Sequence, residues 1–524
     1  MSLITFSLSG NDIITETDRD DIRAFKLKMF GNVTRRTFNQ IRHAFRHKLQ
    51  IRSENAMVRR IALLAGIETI KYDCCINSHI LFTGEYEKLD SCPFCHEARY
   101  TRDRKARRSW NYIPLIPRLK NFYQNLDMIE KMSYRDRYKH DPARIRDVFD
   151  SAHYRTLLGQ NVVVDGIERP YTYFCDGRDI AFGLSVDGFL LYKRRRNGPS
   201  ATPIILQNYN LPPQIRTHLE YLICLGIIHK PKDLGSFLVP FDEECAQLAR
   251  GVKAFDASVK ALFALRAYVI LEHGDIVAIE EMLGIRGHNG YCPCRSCLIK
   301  GVRNITNKGT IYYVPLTTPD LEHQTRPSVD PRSLDLRTHD GYLAAHAEIA
   351  SAPSNAAQEM LSKNYGIRHL PLLNRVSSID FAVSFPWEWL HIFCENIIPN
   401  LVDLWCGNFK GLDVGTEDYE IHPNVWKEIG SETANAVKHI PSSYVNVLPN
   451  IAKDRSHYTA ETWAFWFIYV APIVLKGRFK RAKYYKHLCL LAKIMKTTLK
   501  FELSLVEIDE LEEDIIKWVE RYEK

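Results

Sequence analysis

Residues 178–192, RDIAFGLSVDGFLLY, carry the pattern that decides the fold. From Ile180 to Val186 apolar residues recur at every second position, which is the period of a strand with one face in a protein core. The alternation stops at Asp187, and a glycine follows it. The stretch therefore predicts a strand whose carboxyl end carries an acidic side chain.

Further extended segments follow this strand. They are TPIILQNYNL (202–211), YLICLGIIHK (221–230) and RAYVILEHGD (266–275), and the basic turn KRRRNGPS (193–200) precedes them. A helix is predicted between the last two, in FDEECAQLARGVKAFDASVKALFAL (241–265). This order favours a mixed α/β core. The last strand, like the first, leads to an aspartate, Asp275.

Helical patterns on both sides of this core divide the chain further. Apolar residues recur at three-to-four spacing in residues 21–70 and again after residue 386, whereas residues 298–385 show little periodicity. The predicted parts are a basic helical region with a cysteine cluster (1–110), a helical linker (111–165), the first part of the core with a second cluster (166–297), an insertion (298–385), a return helix (386–410) and a carboxy-terminal helical domain (411–524).

The composition excludes several classes of protein. The chain has 524 residues, 45% of them hydrophobic, which suits a globular protein of more than one domain. We expect no secretory signal and no membrane span, because no basic stretch leads into an apolar run and no long apolar run follows. Thirteen cysteines without such a signal indicate reduced thiols rather than a disulfide framework.

The net charge of +8 is concentrated near the amino terminus. Residues 1–150 contain 28 Lys+Arg and 19 Asp+Glu, a balance of +9, so the remainder carries −1. A basic region of this kind predicts a nucleic-acid partner. Residues 21–70 are the expected DNA-facing helices, and a basic run beyond them supplies candidate DNA-binding residues: Arg99, Arg102, Arg104, Lys105, Arg107 and Arg108.

The first cysteine cluster has the spacing of a zinc site. Cys75 and His79 form one short-range pair, and Cys92 and Cys95 form a CxxC knuckle. Zinc takes four such ligands in a tetrahedron. Cys74 is an alternative to Cys75, and a set of buried thiols without metal is the alternative to a site.

A second cluster lies in GIRGHNGYCPCRSC (284–297). His288, Cys292, Cys294 and Cys297 are four potential zinc ligands within ten residues, and glycines and a proline between them favour tight turns. Which three or four of them bind stays open.

Carboxylates at the strand ends suggest a second kind of metal site. In WEWLHIFCEN, His391 and Glu395 are four residues apart, and Glu388 shares their helix face. Two strand-end carboxylates beside one on a helix can hold two Mg²⁺ ions for phosphoryl transfer. Asp187, Asp275 and Glu395 are the candidate ligands, with His391 as a supporting partner, although each acidic residue alone is more often a turn or surface residue.

At these residues the sequence resembles a known family, the CACTA-type (En/Spm-like) transposases of fungi. The resemblance runs in order from about residue 70 to the carboxyl terminus. The blocks that carry it are YDCCINSHILFTGEYEKLDSCPFCHEARY, RDIAFGLSVDGF, YKRRRNGPSATPIILQNYNLPPQIR, GIRGHNGYCPCRSCLIKG and FPWEWLHIFCENIIPNLVDLW.

The resemblance implies a DDE enzyme with an α/β plus α fold, in which an RNase H-like mixed-sheet core has a zinc-containing insertion. By block, Asp187, Asp275 and Glu395 correspond to the catalytic residues, which bind Mg²⁺ or Mn²⁺, while Zn²⁺ is structural. Such enzymes work by a cut-and-paste route: they cleave double-stranded DNA at the ends of the element and join the freed 3′-hydroxyl to target DNA. A nuclear location and a homo-oligomer are in keeping with that activity.

The sequence departs from the family at His79, where a cysteine is usual, and relatives extend further at both ends. The alternative interpretation is therefore a catalytically inactive or truncated, transposase-derived DNA-binding protein. A third interpretation is an RNase H-like nuclease without strand transfer.

Overall fold

A computed structural model describes residues 14–190, 200–306, 309–317, 328–409, 417–445 and 447–524. Most of the predicted basic turn, residues 193–199, lies outside these ranges.

Helices and strands alternate irregularly along the described chain. The helices are α1 (Glu16–Phe30), α2 (Arg35–Ala44), α3 (Glu54–Leu64), α4 (Leu115–Phe122), α5 (Leu126–Met132), α6 (Tyr134–Arg137), α7 (Ala152–Leu157), α8 (Leu234–Arg250), α9 (Ile276–Met282), α10 (His339–Ala350), α11 (Asn355–Tyr365), α12 (Ile398–Trp405), α13 (Pro423–Ala436), α14 (Ala460–Phe465), α15 (Ala471–Val474), α16 (Ala482–Thr498) and α17 (Leu505–Tyr522). Two π-helical segments are His391–Ile397 and Trp466–Val470. Short 3₁₀ turns are Gly84–Tyr86, Val148–Asp150, Leu219–Tyr221, Val437–His439 and Arg455–His457.

The strands are short and belong to several small sheets. They are β1 (Ile70–Asp73), β2 (Ser109–Tyr112), β3 (Arg144–Ile145), β4 (Asn161–Val164), β5 (Ile167–Thr172), β6 (Ile180–Val186), β7 (Phe189–Leu190), β8 (Ser200–Asn208), β9 (Ile223–Ile228), β10 (Val252–Asp256), β11 (Ala261–Leu265), β12 (Ala267–His273), β13 (Val302–Thr306), β14 (Gly309–Tyr313) and β15 (Leu503–Ser504).

The chain forms two compact units. Unit 1 comprises Met1–Met132 and Ile223–Arg266, and unit 2 comprises Ser133–Leu222 and Ala267–Lys524. Residues 223–266, which the sequence pattern assigns to the core, thus group with the amino-terminal part of the chain.

In the Ile223–Arg266 part of unit 1, the structure differs from the helix predicted over residues 241–265. The helix predicted over 241–265 ends at Arg250, because Gly251 has a φ of +90° that an L side chain rarely adopts. The residues beyond it form the antiparallel hairpin β10–β11. Alternating burial, with Ala254 and Asp256 inside, shows that the period there is two rather than 3.6. The helix prediction was wrong for residues 252–265.

Unit 2 contains the mixed sheet that positions the candidate site. β6 pairs in parallel with β12 and in antiparallel with β8, and β8 continues to β7. The strands predicted around Asp187 and Asp275 are confirmed. β6 is buried on both faces rather than one, and Gly183 permits this because a Cβ there would lie 2.3 Å from the Tyr209 hydroxyl.

The carboxy-terminal third of unit 2 is helical, as predicted. Buried aromatic and aliphatic side chains of the return segment and of α13 to α17 form one hydrophobic core, with Trp466 and Phe467 fully buried. The return helix is therefore held by apolar packing against the following helices. Among the described helices, none is both long and apolar enough to cross a membrane.

One buried carboxyl group gives the fold a testable pH dependence. Glu272 on β12 is buried, and its Oε2 has no hydrogen-bond partner among the described residues. Burial raises the pKa of Glu272 from 4.5 to about 8. Between these values the folded chain keeps a proton that the unfolded chain has released, so Glu272 lowers stability as pH rises through this window.

We predict that Glu272→Gln removes this penalty, because the amide stays neutral at every pH. The Tm of the variant relative to the natural chain should be higher at pH 8 than at pH 5, by at least about 2 °C. Thermal unfolding followed by circular dichroism at both pH values measures this. An equal Tm difference at the two values would show that Glu272 ionises normally in the fold.

Candidate active site and metal centre

Asp187 and Asp275 follow two strands that end at the same edge of the sheet. In the parallel pairing of β6 with β12, Ser185 stands opposite His273. Continuing this register by two residues puts Asp187 level with Asp275. The two carboxylates are 88 positions apart in sequence numbering, and strand pairing alone makes them neighbours.

Electrostatic coupling shows that other groups lie close to this edge. The pKa of Asp187 is raised, first by partial burial and then by the negative charges of Asp275 and Glu395. The charge of His391 and the Gly188 N–H act in the opposite direction. The charges of two further carboxylates and of one imidazole therefore act on Asp187.

Asp275 has a structural role besides any catalytic one. It is the N-cap of α9, where its Oδ1 accepts a hydrogen bond of 2.6 Å from the Ala278 N–H. This bond fixes the side-chain rotamer at the strand end and leaves the second carboxylate oxygen for another ligand.

Glu395 lies in the π-helical segment His391–Ile397. π-Helical turns are rare and recur at functional sites, because they rotate side chains relative to a regular helix. The preceding residue, Cys394, is fully buried in the helical core, whereas the Glu395 side chain is 56% exposed. The same turn thus anchors one side chain in the core and leaves the next accessible.

His391 lies between two glutamates on this segment. Its Nδ1 is 2.6 Å from the Glu388 carboxylate, and its Nε2 is 3.7 Å from that of Glu395. Burial would lower the pKa of His391, but the hydrogen bond to Glu388 and the charges of Glu395, Glu388 and Asp275 raise it overall. His391 thus lies within ion-pair distance of Glu395 while Glu388 holds the other side of its ring.

The three carboxylates are not as tightly grouped as the ligands of a single ion. Among the described residues, the set whose ligand atoms all lie within 4.8 Å of one another is Cys75, His79, Cys92 and Cys95. Carboxylates that bind two different ions about 4 Å apart can be more widely spaced. A two-ion site at Asp187, Asp275 and Glu395 therefore stays a prediction.

A hydrogen-bonded tyrosine–histidine pair next to this edge was not predicted from the sequence. The Tyr209 hydroxyl is 2.6 Å from His273 Nε2, two residues before Asp275. Burial lowers the pKa of His273, while the charge of Glu388 acts against this. No local motif reveals the pair, because the partners are 64 residues apart and meet across the sheet.

Residues between the cysteines of the second cluster contact Pro386 and Trp387, which come shortly before the π-helical segment. The Arg295 guanidinium donates to the Pro386 carbonyl at 2.9 Å and stacks 3.9 Å from the Trp387 ring centroid. The Trp387 indole N–H donates to Ser296 Oγ at 3.1 Å. These contacts fix the residues immediately before Glu388, so the cluster helps to position the segment that carries Glu395.

The four predicted ligands of the second cluster are only partly brought together. Cys294 and Cys297 share a hydrogen bond that lowers the pKa of Cys294 and raises that of Cys297. Cys292 accepts from Arg337 at 3.2 Å. The His288 imidazole instead contacts the Glu280 carboxylate at 2.8 Å. Zinc binding by this set stays a prediction.

The first cluster brings its four predicted ligands together in one compact set. The Cys75 and Cys95 sulfurs are 3.5 Å apart, and Cys92 Sγ is 3.9 Å from His79 Nδ1. A tetrahedron with normal zinc bond lengths has ligand separations of about 3.6 to 3.8 Å. All four ligand atoms lie within 4.8 Å of one another, so the set could hold one metal ion.

The structure also distinguishes Cys75 from its neighbour. Cys74 is outside the compact set, donates to the Cys75 carbonyl, and has its pKa raised to about 12 by burial. Cys75 is thus the ligand candidate. Within unit 1 the His79 carbonyl accepts hydrogen bonds from the N–H groups of Lys232 and Asp233, which places the cluster against the start of α8.

Three residues of the predicted basic run are engaged in the fold. Arg99 pairs with Asp73 at 2.8 Å, and its guanidinium lies over an aromatic ring. Arg107 pairs with Glu97 at 2.6 Å, and Arg108 donates to a backbone carbonyl. These side chains stabilise the cysteine-containing segment and are less suited to phosphate contact.

The other three residues of the run, Arg102, Arg104 and Lys105, are exposed on a tight turn. The turn closes with the Thr101 N–H donating to the Lys105 carbonyl, and Arg104 at its tip has a φ of +57°. No side-chain partner is found for the three among the described residues. They are the cations of this run that can contact phosphate.

Comparison with known proteins gives a family match. Residues 164–326 match the model of the family described as Transposase family tnp2. The matched span contains Asp187, Asp275 and the second cysteine cluster, whereas Glu395 and the first cluster lie outside it. No curated protein shows significant similarity to the chain. The match supports a transposase family.

We predict that Cys92→Ser together with Cys95→Ser lowers the zinc content by about one ion per chain, because half of a tetrahedral site is removed. Cys74→Ser is the matched control and should retain the full content. Elemental analysis by mass spectrometry measures the ratio. Equal zinc content in the double variant and the control would exclude a site at these residues.

We also predict that neutralising Arg102, Arg104 and Lys105 to Gln reduces the salt dependence of DNA binding. Each phosphate that the protein no longer neutralises lowers the slope of log K against log salt by roughly 0.9. Titrations at several salt concentrations measure the slope. Replacing three exposed lysines of unit 2, Lys427, Lys438 and Lys453, is the charge-matched control. A slope unchanged relative to that control would place the phosphate contacts elsewhere.

Proposed function

We propose that the chain is a DDE-type DNA transposase, which cleaves double-stranded DNA at the ends of an element and transfers the freed strand to target DNA. The family match supports a transposase function in general. The metal-dependent, cut-and-paste mechanism is the further step of the proposal. The proposal also includes a CACTA-type affiliation, a fungal origin and a nuclear location. The resemblance of the sequence blocks supports these three points.

One observation carries the proposal: the charges of Asp275 and Glu395 both act on Asp187, although the three residues come from three separate elements. β6 and β12 supply the aspartates at one sheet edge, and the π-helical segment supplies the glutamate. Burial, together with the charges of Asp275 and Glu395, raises the pKa of Asp187, as expected where carboxylates lie near one another. A fold accepts such crowding where a function requires it.

The donor set fits Mg²⁺ or Mn²⁺, because hard divalent cations prefer carboxylate oxygens and would relieve the repulsion among them. Asp187, Asp275 and Glu395 would hold the ions. Bound there, two such ions activate the attacking oxygen and stabilise charge on the leaving oxygen of a phosphodiester.

The remaining residues of the site position these ligands. The hydrogen bond by which Asp275 caps α9 fixes the Asp275 side chain. Glu388 holds the His391 imidazole, and His391 in turn orients Glu395. Arg295 and Ser296 hold Pro386 and Trp387, shortly before the π-helical segment. The parallel and antiparallel neighbours of β6 support the RNase H-like core that the proposal assumes.

We predict that Asp187→Asn, Asp275→Asn and Glu395→Gln each reduce metal-dependent nicking of supercoiled plasmid by at least roughly a hundredfold, because each removes a charged ligand. DNA affinity should stay nearly unchanged. Asp340→Asn, an exposed carboxylate at the start of α10, is the matched control and should nick normally. Gel assays with Mg²⁺ and with Mn²⁺ measure the rate.

Two outcomes would contradict parts of this proposal. Normal nicking by Glu395→Gln would move the third ligand elsewhere, with Glu388 the next candidate. A natural chain that binds DNA without nicking it under any metal condition would instead identify a catalytically inactive descendant of a transposase.

A further inference from the structure

The first two helices of unit 1 are connected like those of a helix-turn-helix. α1 and α2 are joined by four residues, 31–34, which begin with a glycine and include Asn32 at a φ of +49°. α2 then starts at an N-cap, where the Thr34 hydroxyl accepts from the Thr37 N–H. Two helices joined by so short a glycine-containing turn are typical of DNA-binding motifs.

A small core fixes which face of α2 points inward. Phe38 of α2 is buried with Ala24 of α1 and Met57 of α3. Residues two positions before and after Phe38 lie on the opposite side of the helix, because each residue turns the helix by 100°. Arg36 and Gln40 therefore face away from the core, and both are exposed.

Ion pairs of two buried aspartates join α1 to α3 and to the residues before α3, and they involve no side chain of α2. Asp18 and Asp21 on α1 are fully buried, and both pair with Arg52 at 2.8 and 2.6 Å. Asp18 also pairs with Arg60 of α3, and this hydrogen bond depresses the pKa of Asp18 far below its usual range. Removing either partner of such a pair leaves a buried charge without compensation, so these pairs stabilise the packing of α1 against α3.

The outer face of α2 carries side chains of the types that read DNA bases. Arg35, Arg36, Asn39, Gln40 and His43 line a single open depression. In the major groove, arginine pairs with guanine O6 and N7, and asparagine or glutamine pairs with adenine N6 and N7. Arg35 is held by Glu54, but Arg36, Gln40 and His43 have no side-chain partner among the described residues. Arg36 and Gln40 are therefore available to bases.

We propose that α2 is a recognition helix that enters the major groove of double-stranded DNA and reads base edges through Arg36, Asn39, Gln40 and His43. This rests on the proposed function, since it names the surface by which the transposase would find a particular sequence. The exposed basic residues Arg46, His47 and Lys48, which follow α2, suit flanking phosphates. Duplex RNA fits less well, because its major groove is too narrow for side chains to read.

Selection from a library of double-stranded DNA with a randomised centre tests the proposal. The full chain should enrich a defined motif. Arg36→Ala with Gln40→Ala should abolish or change that motif and bind the selected sequence roughly 5- to 150-fold more weakly for each base that is no longer read. Lys26→Ala with Arg59→Ala removes two exposed cations from α1 and α3 and is the control variant. It should bind all sequences somewhat more weakly and keep the motif.

The outcomes separate this inference from the proposed function. An unchanged motif in the α2 variant, or no motif in a natural chain that nicks plasmid, would overturn the recognition helix alone. A natural chain that neither binds nor nicks DNA would overturn both. Circular dichroism should show equal helix content in all variants, because the replaced side chains are exposed.

Discussion

The parallel pairing of β6 with β12 is the constraint on which the candidate site depends. Two parallel strands in register end at one edge of their sheet, so the residues that follow them become neighbours whatever their separation in sequence. Asp187 and Asp275 are such residues. A slip of the register by one residue would turn every side chain of a strand to the opposite face. The buried faces of β6 resist this, because Gly183 accommodates Tyr209 there.

The third carboxylate has to be delivered by packing, because no strand pairing fixes it. Cys394 lies in the apolar core of the carboxy-terminal helices, and the next residue, Glu395, is accessible. At the other end of the segment, Arg295 and Ser296 contact Pro386 and Trp387. The second cysteine cluster and the helical domain thus act together, one on each side of the π-helical turn, to set where Glu395 lies.

The strands at Asp187 and Asp275 and the first cysteine cluster could be predicted from local patterns. The period of apolar residues and the spacing of ligands are both properties of a short stretch of sequence. Such patterns failed at residues 252–265, where apolar residues suit a helix as well as a hairpin and Gly251 decides between them. Arg99 lies in a basic run, yet its partner Asp73 comes from a separate strand. Pairings of this kind, like that of Tyr209 with His273, depend on tertiary structure and leave no local signal.

The central claim is that Asp187, Asp275 and Glu395 hold divalent metal together. Anomalous X-ray diffraction from crystals soaked in Mn²⁺ tests it most directly, because the ion itself is located. We predict anomalous density within about 2.2 Å of oxygens from all three carboxylates, as two ions about 4 Å apart. Density bound by only one of the three, or none near the sheet edge while Mn²⁺ occupies other sites, would contradict the claim.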